Sequence, residues 1–476
     1  MSVPEQAVNP AGAAASAAGW RAEIKSLFIL AWPLVVAQLA QNALFTSDVI
    51  MMGWLGPQYL AGGALAAAFM NTFLIGAIGL IGVVAPLVAQ SLGARDLRSV
   101  RRTVRTGFWM VIAVSAVLVP FVWQVRPILL LLGQAPRSAE LAEVFVHHAA
   151  WLFFPALGGI VLRSFLAAHG ATRVILVITI VGVVINSALN YCIMFGNFGF
   201  PRWELAGSGT TTATVNLLMF LMMVGYVQWH RRYRRYHIFG NFWRIDWQRL
   251  REMFRIGTPI GLTVTAEVGL FSAAAILMGL IGTDEVAAHA VALQLAAMSF
   301  MVPLGLSQAT TVRVGLHYGA GSPDGIAKAG WTSFALTIAF EAVTCILFFT
   351  APHALVGLFL TPDDPANAHA LQLAASYLIV AAMFQFVDGT QAIAAAALRG
   401  LNDTKMPMFI ALFGYWVVGM PVAWLCGFPL GLEGVGVWLG LAAGLAFVAV
   451  VLTLRFAWRE KLRLIKPGEL AESLAT

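Results

Sequence analysis

An all-α polytopic membrane protein, with 12 transmembrane helices in two pseudo-symmetric six-helix lobes around a central cleft, is the fold this sequence predicts. Three observations predict it: an apolar composition, apolar runs of spanning length, and an internal duplication. The 476 residues are 60% apolar and only 11% charged, with a mean hydropathy of +0.82. A soluble domain carries roughly 25% charged residues, so the solvent here is a bilayer. At about 20 apolar residues per spanning helix, the chain has no room for a separate soluble domain, which excludes most water-soluble enzyme classes.

The apolar runs fall near 27–52, 59–92, 103–125, 140–162, 174–196 and 207–229, then 256–280, 286–317, 328–350, 370–398, 406–427 and 434–457. The second and eighth are long enough to require tilt or protrusion. Residues 1–25 are Ala-rich and polar, without an apolar stretch of signal-peptide type, and read as a disordered tail. The even span count places both termini on one side.

Basic residues choose the side. All but three of the 29 Lys and Arg residues fall in the tails or in the loops after spans 2, 4, 6, 8 and 10, the exceptions being Arg126, Arg137 and Arg202. Since positive charge collects in cytoplasmic loops, both termini are expected in the cytoplasm of a bacterial inner-membrane protein. The net charge of +7 is then a result of topology, and nucleic acid is not an expected partner. Membrane lipids are, and a monomer is expected. Cys192, Cys345 and Cys426 lie singly in apolar stretches, so neither a disulfide framework nor a zinc site is implied.

A basic segment, 230–255, divides the chain into an N-lobe at 26–229 and a C-lobe at 256–458, with 459–476 as a second tail. Sliding the first half by about 226 residues matches Pro33 with Pro259, Met52-Gly53 with Met278-Gly279, Gly79-Leu80 with Gly305-Leu306 and Gly93-Ala94 with Gly319-Ala320. Near an offset of 230, the turn at Gly170 matches that at Gly400. Each six-helix unit has an even number of spans, so the repeats are parallel and face each other across a cleft, an architecture of transporters.

A charge at membrane depth is unfavourable by about 2.5–3.5 kcal/mol on insertion scales, so each acid within a span asks for a reason. Asp48, Glu267, Glu341 and Asp388 are such acids, with no Lys or Arg near the middle of any span. A bound cation, a proton or a cationic substrate must balance them. Their repeat counterparts are not acids: Ala274 for Asp48, Gln41 for Glu267, Gly158 for Asp388. The halves share a scaffold but not their carboxylates. Glu341, in a motif-poor context, reads as a protonated or snorkelling side chain. Asn186 and Asn190, one turn apart, offer neutral oxygen donors of the kind a hard cation accepts. Phe384, one turn before Asp388, with Gln41 and Gln385, is expected to line the cleft, where aromatic faces suit lipophilic cations.

These residues resemble the multidrug and toxic compound extrusion (MATE) family, in its NorM-like branch. The resemblance runs from about Trp32 to Arg455. It rests on Trp32-Pro33, Asp48 followed by Met52-Gly53 and Leu55-Gly56, Gln90-Ser91-Leu92-Gly93-Ala94, Glu267, Asp388 and the turn Leu398-Arg399-Gly400-Leu401-Asn402-Asp403-Thr404-Lys405. It implies a non-enzymatic antiporter, without cofactor, that expels cationic drugs or dyes in exchange for Na+ or H+. It also implies a second-lobe cation site at Glu267 and Asp388, and a first-lobe site at Asp48 with Asn186, Asn190 and Thr214. Phe384 stands where sodium-coupled members carry Tyr. A lipid-linked saccharide flippase of the same superfamily is the alternative reading; it calls for further spans and a strongly basic cavity, neither of which the sequence displays.

Overall fold

The computed structural model describes residues 10–240, 243–360 and 368–465. Among them are 12 helices long and apolar enough to cross a membrane: α1 (Gly19–Leu55), α2 (Pro57–Gly93), α3 (Leu97–Val122), α4 (Pro136–Ala168), α5 (Thr172–Phe195), α6 (Glu204–Trp229), α7 (Trp247–Ile281), α8 (Thr283–Gly319), α9 (Pro323–Thr350), α10 (Ala368–Gly400), α11 (Lys405–Gly427) and α12 (Glu433–Ala457). Helices dominate because a backbone in hydrocarbon must satisfy its own hydrogen bonds. Their starts follow local chemistry. Pro57, Pro136 and Pro323 stand in first turns, where a missing N–H leaves no bond unmade. The Asp96 carboxylate caps α3 by accepting from the Arg98 and Ser99 amides, and Asp246 caps α7 through Arg249 at 3.0 Å.

Within the first lobe α1 packs on α5, α5 on α6 and α4 on α2 and α6; the second lobe is centred on α10, which touches α8, α9 and α12. Helices α1 and α2 of the first lobe meet α7 and α8 of the second. Small residues bring the lobes close, as at interfaces within membranes: Gly79 lies against the Gly261 backbone, Gly93 against the Leu316 carbonyl and Gly319 against the Gln90 backbone. Gln90 then acts as a latch. Its Nε2 donates to the Gly400 carbonyl at 2.8 Å, and its Oε1 accepts from Asn402 Nδ2 at 2.8 Å. Asn402 adopts φ +61° to reach it, a conformation Asn tolerates better than most residues. Arg102 pairs with Asp246 and Arg313 with Glu23, the latter through Nε to Oε1 at 2.8 Å. These junctions lie at the end of the molecule that carries the basic segments. Gly53 and Gly56, at the far end of α1, have no close neighbour.

Three boundaries depart from the sequence reading. The tail expected over 1–25 is helical from Pro10, residues 1–9 lying outside the described residues. Ala is the strongest helix former, and the Glu23–Arg313 pair fixes the extension. The basic segment is shorter than 230–255, because α7 begins at Trp247 and takes Arg249, Arg251 and Arg255 into its first turns. Arg163, assigned to a loop, lies within α4. Of the second tail, 459–465 is described and the rest lies outside.

The segment after α6 is anchored by a histidine. His169, in the α4–α5 turn and 7% exposed, bonds the Phe165 carbonyl at 2.8 Å and the Tyr236 hydroxyl at 2.7 Å. Burial pushes its pKa down to about 4. The folded state therefore prefers neutral His169, and this stability is complete above the unfolded value near 6.5 and lost as pH falls from there toward 4. Thermal unfolding at pH 7 and pH 4.5 should show a midpoint drop in the parent protein that shrinks in His169→Phe. An equal drop in both would exclude His169 as its source.

Candidate functional site

Each lobe builds a polar cluster at membrane depth. In the first, Asp48 is 6% exposed on α1. Asn190 Nδ2, from α5, donates to Asp48 Oδ1 at 2.6 Å, and Thr212 Oγ1, from α6, donates to Oδ2 at 3.3 Å. Asn190 Nδ2 also reaches Asn186 Oδ1 at 3.3 Å. Two atoms of the cluster, Asn186 Nδ2 and Asn190 Oδ1, are buried without a hydrogen bond in the protein. The expected set Asp48, Asn186 and Asn190 thus converges, but Thr214 does not join it. Thr214 is exposed and stands about 200° round the helix from Thr212, which occupies the role instead.

In the second lobe Glu267 of α7 accepts from Gln391 Nε2 at 2.8 Å, and Gln391 Oε1 accepts from the Tyr415 hydroxyl at 2.8 Å. Tyr415 belongs to a π-helical stretch, Phe413–Gly419; such widened turns recur at functional sites. Asp388 is 6% exposed, and its Oδ1 makes no hydrogen bond. Arg399, near the basic end of α10, lies within electrostatic reach of Glu267. Glu267 is thus not without a cation in its surroundings, contrary to the sequence reading. Glu341 is buried as well and does not snorkel.

Of the residues expected in the cleft, Phe384 and Gln385 are buried inside the second lobe. Phe384 is 1% exposed and wedged inside the second lobe, its ring 6.1 Å from Phe271 and 5.5 Å from Trp438. A large apolar ring one turn from an acid finds more contact between helices than in a polar cleft. Gln385 is also buried; its Oε1 accepts from Ser299 and Thr344. Gln41 accepts from Arg163 Nη2 at 3.0 Å. The lobes here repeat a pairing in different chemistry: helix one to helix four through Gln41 and Arg163, and helix seven to helix ten through Glu267 and Gln391.

Thr212, Arg163, Gln391 and Tyr415 escaped the sequence reading. Gln391 carried a signal, three residues after Asp388 and hence on its face; the other three had none without the fold. Among the described residues no three His, Cys, Asp or Glu side chains converge as metal ligands. What converges is carboxylates among amides and hydroxyls, oxygen donors suited to a hard cation or a proton.

Two facing lobes, each with an ionisable group buried at membrane depth, define a multi-pass membrane transporter and not an enzyme. The chain belongs to the MatE family, whose model matches residues 33–192 and again 259–425, once in each half. It is 46% identical over 454 residues to a protein of Mesorhizobium japonicum named "Probable multidrug resistance protein NorM", covering 95% of this chain and 97% of that one. A Pseudomonas putida protein of the same name is 42% identical, with 95% and 98% covered. Among solved structures, the eukaryotic MATE transporter AtDTX14 superposes with a TM-score of 0.82 at 22% identity, covering 96% of this chain and 100% of that one. A MOP-superfamily transporter from Pyrococcus furiosus gives 0.83 at 19%, with 93% and 97% covered.

Proposed function

We propose that the protein is a secondary multidrug antiporter that exports cationic lipophilic compounds in exchange for Na+ or H+, by alternating access of its two lobes. The observation that carries this reading is the set of buried carboxylates within the spans: Asp48 and Glu267, each held by neutral donors, and Asp388, whose Oδ1 has no hydrogen bond. Such a carboxylate needs a partner charge. A lipophilic cation and a small coupling ion both supply one, and competition for the same groups is the simplest basis for exchange. The names of the relatives support the substrate class.

The lobes join at the end bearing the basic segments. With that end cytoplasmic, as positive charge directs, the arrangement reads as an outward-open state. An ion taken up from outside favours drug release, and its discharge inward resets the lobes, each ligand shifting the equilibrium only by its differential affinity. The cation-coupling residues on this reading are Asp48, Asn186, Asn190 and Thr212 in the first lobe and Glu267 and Asp388 in the second. The protein works as a monomer in a bacterial inner membrane, in contact with lipids and with both termini in the cytoplasm. Proteoliposomes given first an inward sodium gradient and then a pH gradient should expel ethidium under at least one of them. Ethidium movement indifferent to both gradients would end the antiport reading.

A further inference from the structure

Glu341 is the acid that the proposed exchange leaves unused. It lies on α9, 1% exposed, and its Oε2 makes no hydrogen bond in the protein. Its other oxygen rests on the backbone of Gly389, where even a methyl group would overlap Oε1. Gly389 directly follows Asp388, whose Oδ1 is likewise buried without a partner. One turn before Glu341 on the same helix, Thr337 touches the same glycine; it is also 1% exposed, and its hydroxyl is unpaired. The Glu341 carboxyl and the Thr337 methyl thus pack on the backbone position next to Asp388, and both acids and the threonine hydroxyl keep a buried oxygen with no hydrogen bond.

A buried polar atom without a partner is unfavourable by about 1–3 kcal/mol, and two neighbouring carboxylates in a dry site cannot both ionise alone. The charged groups around the pair offer no relief. Glu267, from α7, adds negative charge beside Asp388, and Arg399 lies toward Glu267. His289, from α8, faces the Trp438 ring at 5.6 Å. A single proton resolves the arrangement: it makes one carboxyl a donor and leaves one negative charge for the pair.

We propose that Glu341 and Asp388 form one carboxyl pair that carries the coupling proton, with Thr337 as its third contact. This rests on the antiport reading and deepens its proton branch. On the outward-open side, hydronium gives up a proton: its O–H bond breaks, an O–H bond forms on the pair and water is left. On the inward side that bond breaks and the proton leaves to water. The pair is left with the negative charge that a cationic drug then balances.

The test uses the full-length protein in sodium-free proteoliposomes, with ethidium as substrate and a lumenal pH-sensitive dye. Glu341→Gln, which keeps size and hydrogen bonding but cannot ionise, should lower pH-gradient-driven ethidium transport about tenfold or more and reduce proton movement per ethidium. Glu341→Asp should restore part of both. Gly389→Ala leaves both acids in place but displaces the Glu341 carboxyl, and should reproduce the Glu341→Gln phenotype. Adding Asp388→Asn to Glu341→Gln should cost no more than Asp388→Asn alone, since the two act as one unit. Wild-type proton movement per ethidium in Glu341→Gln overturns the proposal, as does a wild-type protein driven by sodium alone. Failure of the wild-type protein under both gradients sinks instead the antiport reading beneath it.

Discussion

Glu267→Gln and Asp388→Asn should each reduce gradient-driven ethidium efflux by about 100-fold while the protein still inserts and unfolds at a near-normal temperature. Removing one partner from a buried charge interaction is unfavourable by about 3–5 kcal/mol, and each 1.4 kcal/mol is tenfold, so a loss of that size follows if the carboxylate is the cation's partner. Stability is another matter. The Gln391 amide that donates to Glu267 at 2.8 Å can donate equally to the oxygen of a glutamine. Asp388 Oδ1 has no hydrogen bond to lose. The comparison that decides is therefore efflux against thermal midpoint in the same preparation. If both variants expel ethidium at the parent rate, the second lobe does not carry the exchange.

The second large effect is expected at the contact between the lobes, away from the buried acids. Gly93→Leu and Gly319→Leu each place a side chain where the opposite lobe's backbone stands, at the Leu316 carbonyl and at the Gln90 backbone. Backbone cannot yield as a flexible side chain does. An overpacking penalty of about 3 kcal/mol, imposed only on the state in which these faces meet, shifts the lobe equilibrium by roughly 100-fold. Transport should fall accordingly, and a cysteine introduced near Gln90 should react with a water-soluble maleimide much faster than in the parent. Unchanged labelling with unchanged transport would mean that this contact does not gate the protein.

Much of this was legible before any coordinates, for physical reasons. Hydrocarbon admits few backbone solutions, so apolar runs of spanning length gave twelve helices in the right places. The duplicated glycines Gly79, Gly93, Gly305 and Gly319 marked positions that now meet the opposite lobe. Asp48, Glu267 and Asp388 stood out because acids are rare in lipid. What the pattern could not supply was direction around each helix. Thr210, Thr211, Thr212 and Thr214 follow one another on α6 and point to different sides of it, and only the approach of α1 selects Thr212. Arg163 was read as the end of a span because hydropathy falls at a charge. Its partner, Gln41, lies 122 residues away and is invisible to any local window. Phe384 was assigned to a cleft from its neighbour Asp388, although a ring and a carboxylate one turn apart can face different surroundings.

The amino-terminal extension invites a practical reading. Sequence comparison of the spans alone would mark everything before Lys25 as expendable, and a trimmed version would be an ordinary choice for expression or for fusing a reporter. Yet Glu23 sits in that stretch and grips Arg313 across the lobe boundary, so cutting it away removes one of the fastenings that hold the basic end shut. A shortened protein would still fold and insert. It would also lean toward the opposite conformation, so the length of its leading helix is a handle for trapping, by truncation alone, the state in which the basic end opens.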